Sequence, residues 1–319
     1  MGPQVPRTSF AYRVFTALRG VVLTTPWVIH LCATDIVLSA LLPLSFLAPS
    51  FTYNVSSRLA SLVWLGIQYI FTRVNHAKIT VSGDKLPRNE SAVVVANHVS
   101  WTDFYLIQAL AIRAGMLGRC RYFAKQELRW VPFLGWGLWA IGMPLVSRRW
   151  LKDQQEMNRV FYGIRNRRLP IWLISYSEAM RFTPERYEEA RRWCAANNRP
   201  LPKHALYPRT KGFVTTVQQL RQAPQVRAVY DVTLAYSKDG RFLEAPTIWQ
   251  SLSEPGMSAP AGGPWAFHAH VERFALEDLP ESDEGLAQWL EDRWVRKGEL
   301  LEGFKEKMNR GEDCSDGLD

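Results

Sequence analysis

From Gly20 to Ser57 the chain carries no lysine or arginine, and within that span Val21 to Pro49 is largely apolar. A stretch of this length exceeds the roughly 20 residues needed to cross a bilayer as a helix. Pro26 and Pro43 interrupt it, and His30 and Asp35 are expensive at a bilayer centre. A single span and a broken, re-entrant hairpin therefore both fit. Leu59 to Phe71 is apolar but too short to span comfortably, and reads as an interfacial or core helix against the first. Arg7, Arg13 and Arg19 on one flank balance Arg58, Arg73 and Lys78 on the other, so charge does not set an orientation. The run is longer than the apolar core of a signal peptide and lacks a small-residue cleavage site. Residues 1–77 are expected to form a helical membrane-anchoring segment.

The other three quarters of the chain must fold in water. A mean hydropathy of -0.16 excludes a protein built mostly of membrane spans. Hydrophobic residues at 47% against 22% charged exclude a disordered chain. After Lys78, short apolar runs alternate with helical periods. Ala92–Ala96, Gly142–Val146, Ile171–Ile174 and Val226–Ala235 are expected strands. Trp101–Ala114, Asp153–Asn166, Pro184–Asn197 and Gly212–Gln222 are expected helices. This order predicts an α/β domain over 78–249, with a mainly parallel or mixed sheet flanked by helices. Residues 250–319 form a C-terminal extension packed on it: a loop over Gln250–Pro264, a strand over Ala266–Val271, a helix over Glu284–Met308 and an acidic tail.

Charge narrows the partner. The chain has 39 Lys+Arg and 30 Asp+Glu, a net of +9, which favours an anionic ligand. Residues 147–229 hold 17 basic and 6 acidic residues, net +11, while 266–319 hold 7 and 15, net -8. The basic stretch contains no recognisable nucleic-acid-binding motif, and a membrane anchor argues further against that partner. The four cysteines, Cys32, Cys120, Cys194 and Cys314, show neither CxxC nor zinc-ligand spacing, so free thiols and no metal are expected.

The chemistry concentrates at Val93-Val-Val-Ala-Asn-His98-Val-Ser-Trp-Thr-Asp103. An apolar strand ends at a histidine, and an aspartate follows five residues later where a helix begins. With His98 in the turn and Asp103 in the first helical turn, the carboxylate can hold one imidazole nitrogen and leave the other basic toward an alcohol. Asp103 could instead be simply the cap of a Ser100-x-x-Asp103 helix start. No GxSxG nucleophile is present, so the attacking hydroxyl is expected to belong to the substrate.

These residues resemble the glycerolipid acyltransferases, the family that includes the lysophosphatidic acid, lysophosphatidylinositol and lysocardiolipin enzymes. The resemblance covers most of Ser82 to Phe304. Asn97-His98 to Asp103 fits its Asn-His-x4-Asp motif, with Lys125-Gln-Glu127 and Pro132 to Trp136 leading to a second motif at Gly142-Met-Pro-Leu-Val-Ser-Arg148. Ser177-Glu178-Ala-Met-Arg181 stands where the family has Glu-Gly-Thr-Arg, with Ala179 and Met180 as departures, and Tyr207-Pro-Arg209-Thr-Lys211-Gly212-Phe213 is the fourth motif. The Phe267–Phe274 and Trp289–Phe304 segments resemble the C-terminal region of the eukaryotic branch. The resemblance implies a glycerol-3-phosphate acyltransferase-like fold that moves an acyl group from acyl-CoA, a co-substrate in place of any cofactor, to a lysophospholipid. Lysophosphatidic acid at sn-2 is the expected acceptor, with lysophosphatidylinositol or monolysocardiolipin next, and a non-catalytic phospholipid-binding protein as the rival. It also implies His98 as base, Asp103 as its orienter, and substrate contacts from Arg148, Glu178, Arg181, Arg209, Lys211 and Gly212. The implied location is the endoplasmic reticulum membrane, with the catalytic domain facing the cytosol.

Overall fold

The computed structural model describes residues 9–131, 134–147, 150–258 and 263–315. Helix α1 (Phe10–Ala40) starts where the Ser9 hydroxyl accepts from the Tyr12 amide, and it runs through Pro26 without a break. A turn at Leu41–Pro43 and a single helical turn, α2 (Leu44–Leu47), lead into α3 (Pro49–Tyr69), with Pro49 in the first turn, where its missing N–H costs nothing. A wide turn over Ile70–Val74 closes this helical hairpin.

The remaining elements are β1 (Ile79–Gly83), β2 (Ser91–Ala96), α4 (Asp103–Arg113), β3 (Cys120–Tyr122), β4 (Ala124–Lys125), α5 (Leu134–Ala140), β5 (Leu145–Val146), α6 (Trp150–Arg167) and β6 (Trp172–Tyr176). They are followed by α7 (Pro184–Ala196), α8 (Thr210–Leu220), β7 (Val226–Lys238), β8 (Arg241–Phe242), α9 (Ile248–Ser253), β9 (Trp265–Ala275) and α10 (Asp283–Asn309). The main sheet runs β1-β9-β7-β2-β6-β3, with β8 paired to β7. The pairings β1/β9, β7/β2, β2/β6 and β6/β3 are parallel, while β7/β9 and β7/β8 are antiparallel. The sheet is mixed, and the C-terminal segment supplies β9, the strand that joins β1 to the rest.

Every residue of β2 is buried. Alternate side chains point to opposite faces. Ala92, Val94 and Ala96 pack with Ile67 of α3, Phe71 of the turn that follows it, and Tyr105, Leu106 and Leu110 of α4. Val93 and Val95 pack with Phe161 of α6, Phe213 and Val217 of α8, and Trp294 of α10. A strand buried on both faces must be continuously apolar, which is why this one was legible as a run.

Three expectations need correction. Gly142–Val146 yields only the two-residue β5, paired with β4 outside the main sheet. Gln250–Ser253 is not loop but the end of α9, fixed by a capping box between Thr247 and Gln250. The N-terminal helix starts before the cation-free run and takes in Arg13 and Arg19, and Arg19 donates to the carbonyls of Ser253 (2.9 Å) and Val74 (3.1 Å). The Leu59–Phe71 stretch does pack against the first helix, with Trp27 Nε1 donating to the Val63 carbonyl (3.0 Å).

Candidate active site

Strand β2 ends at Ala96, and Asn97 extends its pairing by side chain. Its Nδ2 donates to the Leu234 carbonyl (2.9 Å), and the Leu234 amide donates to its Oδ1 (2.8 Å). The side-chain amide thus replaces main-chain groups, and the backbone is released to turn at His98. Asp103 opens α4 and is 1% exposed. Its Oδ2 accepts from His98 Nδ1 (2.7 Å) and the Val99 amide (2.8 Å), and its Oδ1 from the Ser100 amide (3.0 Å) and the Tyr236 hydroxyl (2.8 Å). Four donors on two oxygens suit an ionised carboxylate. Thr102 is the N-cap of α4 and makes no side-chain cap bond, so of the expected Ser100-x-x-Asp103 box only the bond from the Ser100 amide to Asp103 forms.

The His98 ring stacks on Tyr176, centroids 4.2 Å apart, and keeps about a fifth of its side chain exposed. Burial pushes the Tyr176 hydroxyl well above its ordinary range, with the nearby Asp103 charge adding to the effect, so Tyr176 is a neutral, apolar backing for the imidazole. With Nδ1 engaged, Nε2 is the nitrogen left for a substrate.

Main-chain hydrogen bonds stitch three of the motif loops together. The Phe182 amide donates to the His98 carbonyl (2.7 Å), the Arg209 amide to the Ser177 carbonyl (2.6 Å), and the Ala179 amide to the Tyr176 carbonyl (2.9 Å). A cavity of about 240 Å³ is lined by His98, Lys125, Tyr176, Ser177, Arg209 and Gly212, among others. It lies past the C-terminal ends of the parallel strands β2 and β6, the usual ligand crevice of an open α/β sheet. Gly212 lies in the first turn of α8, whose start lacks a side-chain cap.

The other expected contacts distribute unevenly. Glu178 and Lys211 line a neighbouring cavity of about 580 Å³, which Arg209 also borders. Arg181 is exposed, with its guanidinium over the Trp101 ring at 5.2 Å, and it lines neither cavity. Arg148 lies outside the described residues. Ala179, at the family's glycine position, has φ +59°, the left-handed region where a Cβ is penalised.

Glu178 is 2% exposed, and its Oε1 accepts from Trp294 Nε1 of α10 (3.2 Å). Burial raises its pKa to about 8, against the lowering effects of the Trp294 donor and the Lys297 charge. Lys297 is fully buried and donates to Asp231 Oδ1 (2.6 Å), the Val232 carbonyl (2.7 Å) and the Thr233 hydroxyl (3.2 Å). Arg293 bridges Asp231 and Glu272. One helix of the C-terminal segment therefore supports the third motif from beneath. Tyr236, Tyr176, Trp294 and Lys297 were not singled out from sequence: Tyr236 stands 133 residues from its partner Asp103, and a lone tyrosine in an apolar strand carries no such signal.

The fold and site define an α/β domain with an imidazole–carboxylate pair at 2.7 Å beside a cavity past the ends of its parallel strands. The family model described as Acyltransferase matches residues 78–237, and that described as Acyltransferase C-terminus matches 261–312. The chain belongs to this acyltransferase family. It is 32% identical over 256 residues to 1-acyl-sn-glycerol-3-phosphate acyltransferase 2 of Arabidopsis thaliana, covering 79% of this chain and 62% of that protein. It is 31% identical over 255 residues to the human 1-acyl-sn-glycerol-3-phosphate acyltransferase delta, again covering 79% and 62%. The chain thus spans less than two thirds of the length of these relatives. The crystal structure of the 1-acyl-sn-glycerophosphate (LPA) acyltransferase PlsC from Thermotoga maritima aligns with a TM-score of 0.48 at 16% identity, covering 90% of this chain and 98% of that one.

Proposed function

We propose that the protein transfers a fatty acyl group from acyl-CoA to the sn-2 hydroxyl of lysophosphatidic acid, releasing phosphatidic acid and free coenzyme A. The observation that carries this reading is the His98–Asp103 pair at 2.7 Å, opening on a cavity that also holds Arg209 and Lys125. His98 Nε2 takes the hydroxyl proton as the oxygen attacks the thioester carbonyl carbon, and Asp103 holds the imidazolium so formed. The tetrahedral intermediate carries the new C–O bond and an oxyanion. The uncapped amides at the start of α8 suit that charge. Collapse breaks the C–S bond, and the leaving thiolate takes the proton from the imidazolium. Arg181, braced on Trp101, is an acceptor-phosphate contact in this reading, and Glu178 holds the third motif against α10.

One described helix, α1, is long and apolar enough to cross a membrane. We read it as lying along the surface instead. It meets α9 at Gly20, where an added Cβ would fall 2.8 Å from Ser253 and Trp249, and α5 at Asp35, against Gly137. These contacts are about 22 Å apart at 1.5 Å per residue. A perpendicular span would carry α5 and α9 into the hydrocarbon. A helix lying flat exposes Phe10, Leu18, Val22 and Ile29 to lipid, and Trp136 and Trp139 of α5 and Trp249 of α9 are exposed as well. The endoplasmic reticulum, cytosolic face outward, is the compartment this reading favours, because acyl-CoA is supplied there. Incubating the purified full chain with labelled oleoyl-CoA and a panel of lysophospholipids, and resolving products by mass, tests both acceptor and donor. Acylation of another head group in preference to lysophosphatidic acid would move the acceptor, and no acylation at all would remove the enzyme reading.

A further inference from the structure

The stretch Ser177–Met180 is a shared wall. Ser177 and Ala179 line the cavity of His98, while Glu178 and Met180 line the larger one beside it, and Arg209 borders both. We propose that the larger cavity holds the adenosine 3′,5′-bisphosphate end of the acyl-CoA donor, so that the pantetheine arm runs past Arg209 to bring the thioester to His98. This rests on the reading that the donor is an acyl-CoA.

The cavity has what a phosphorylated nucleoside requires. Its volume of about 580 Å³ is in the range of small-ligand sites. Trp193 of α7 is half-exposed and sits 5.0 Å from the Tyr207 ring, tilted by 46°, which makes an aromatic shelf with a free side. Arg186, Arg199, Arg209 and Lys211 supply positive charge around it. Glu291 neutralises Arg199 (2.9 Å), and buried Glu178 is held protonated near neutral pH, which leaves three cations against Glu189. The first turn of α8 adds amide donors on the same rim. A lipid phosphate would use the cations but not the shelf, and an acyl tail would use the apolar wall but not the cations. A purine bearing phosphates uses both.

The test uses the full chain and its Trp193→Ala variant, with oleoyl-CoA as donor and adenosine 3′,5′-bisphosphate as inhibitor. The expected result is competitive inhibition of the parent against oleoyl-CoA. In the variant, KM for oleoyl-CoA and Ki for the bisphosphate should both rise roughly five- to a hundredfold, the range that base-on-aromatic stacking spans, with kcat near that of the parent. Trp193→Phe should recover most of the loss, which a packing defect would not explain. Unchanged KM and Ki in Trp193→Ala overturn the site. A changed acyl-chain-length preference with an unchanged Ki overturns it too, in favour of an acyl-tail pocket. In both cases the acyl-CoA donor stands. A parent that releases no free thiol from oleoyl-CoA while acylating from another activated donor removes the donor reading, and the site with it.

Discussion

Tyr236 donates its hydroxyl to Asp103 Oδ1 at 2.8 Å, the carboxylate oxygen that His98 does not use. Burial first, and then the Asp103 charge, raises the Tyr236 pKa well above its ordinary value, so the hydroxyl stays a donor across the working pH range. The Asp103 carboxylate is thereby held at once from strand β7 and from the turn that follows β2. His98 meets its partner in a geometry that substrate binding does not have to create.

His98→Ala should lower acyl transfer by about 10²- to 10⁴-fold, the usual worth of a positioned base, while leaving the fold intact, because the ring is at the edge of the cavity. Circular dichroism and vesicle binding should match the parent. Turnover of oleoyl-CoA near the parent rate would take His98 out of the mechanism.

Asp103→Asn is expected to lose stability as well as activity. Four donors converge on the carboxylate, and an amide offers only one oxygen, so its NH₂ must face two of them. A cost of about 1–3 kcal/mol for each unsatisfied buried donor should appear as a lower denaturant midpoint. An unchanged midpoint would show that the carboxylate network contributes nothing to stability.

Ala179→Gly should stabilise the protein modestly. Ala179 sits at φ +59°, which costs an L-residue about 1–2 kcal/mol, and glycine gives back about 0.4–1 kcal/mol through its freer unfolded chain. The net gain of about 0.5–1 kcal/mol should raise Tm by a degree or two for a chain of this size. Ala179→Val, with a branched side chain in the same conformation, should lower it. Equal melting temperatures for all three would mean that the turn relaxes at no cost.

The Glu178 carboxyl gives a pH signature. Its pKa is about 8 in the folded chain against 4.5 for the free group, so folding takes up a proton. That contribution to stability is fully present below pH 4.5 and is lost as pH rises through 8, at up to about 1.4 kcal/mol per pH unit in between. Glu178→Gln keeps an oxygen for Trp294 Nε1 and removes the titration. Urea midpoints measured from pH 5.5 to 8.5 should decline less steeply for the variant than for the parent. Parallel declines would place the proton elsewhere.

What the sequence disclosed followed physical reach. Continuous apolar strands and the five-residue step from His98 to Asp103 are local patterns, and both survive in the fold. Short elements did not announce themselves: β3, β4 and β5 have two or three residues each, too few to repeat an alternating pattern. Pairings across the chain were invisible for a different reason. Glu178 reads as a natural partner for Arg181 three residues on, yet burial draws it to Trp294, 116 residues away, while Arg181 turns out to Trp101. Ser82 likewise sits between His268 and His270 at 2.9 and 2.8 Å, a contact that only the β1/β9 pairing creates.

The helical hairpin can be tested as a membrane-docking surface only by substitution. Removing residues 1–74 would strip Ile67, Ile70 and Phe71 from the core, and Phe71 stacks on Tyr105 at 4.0 Å and edges Phe267 at 5.1 Å, so that truncation would unfold what it was meant to release. Phe10, Phe46 and Leu47 are the better targets, since each is more than 80% exposed and none supports the fold. Burying such a side chain in lipid gains about 1.5–3 kcal/mol. Replacing all three by serine should therefore reduce partitioning onto phospholipid vesicles by two orders of magnitude or more, with Tm unchanged. Activity on long-chain lysophosphatidic acid in bilayers should fall with it, because that acceptor keeps its tail in the membrane, whereas a short-chain soluble acceptor should be processed at close to the parent rate. A triple variant that sediments with vesicles as completely as the parent would remove the hairpin from the docking surface.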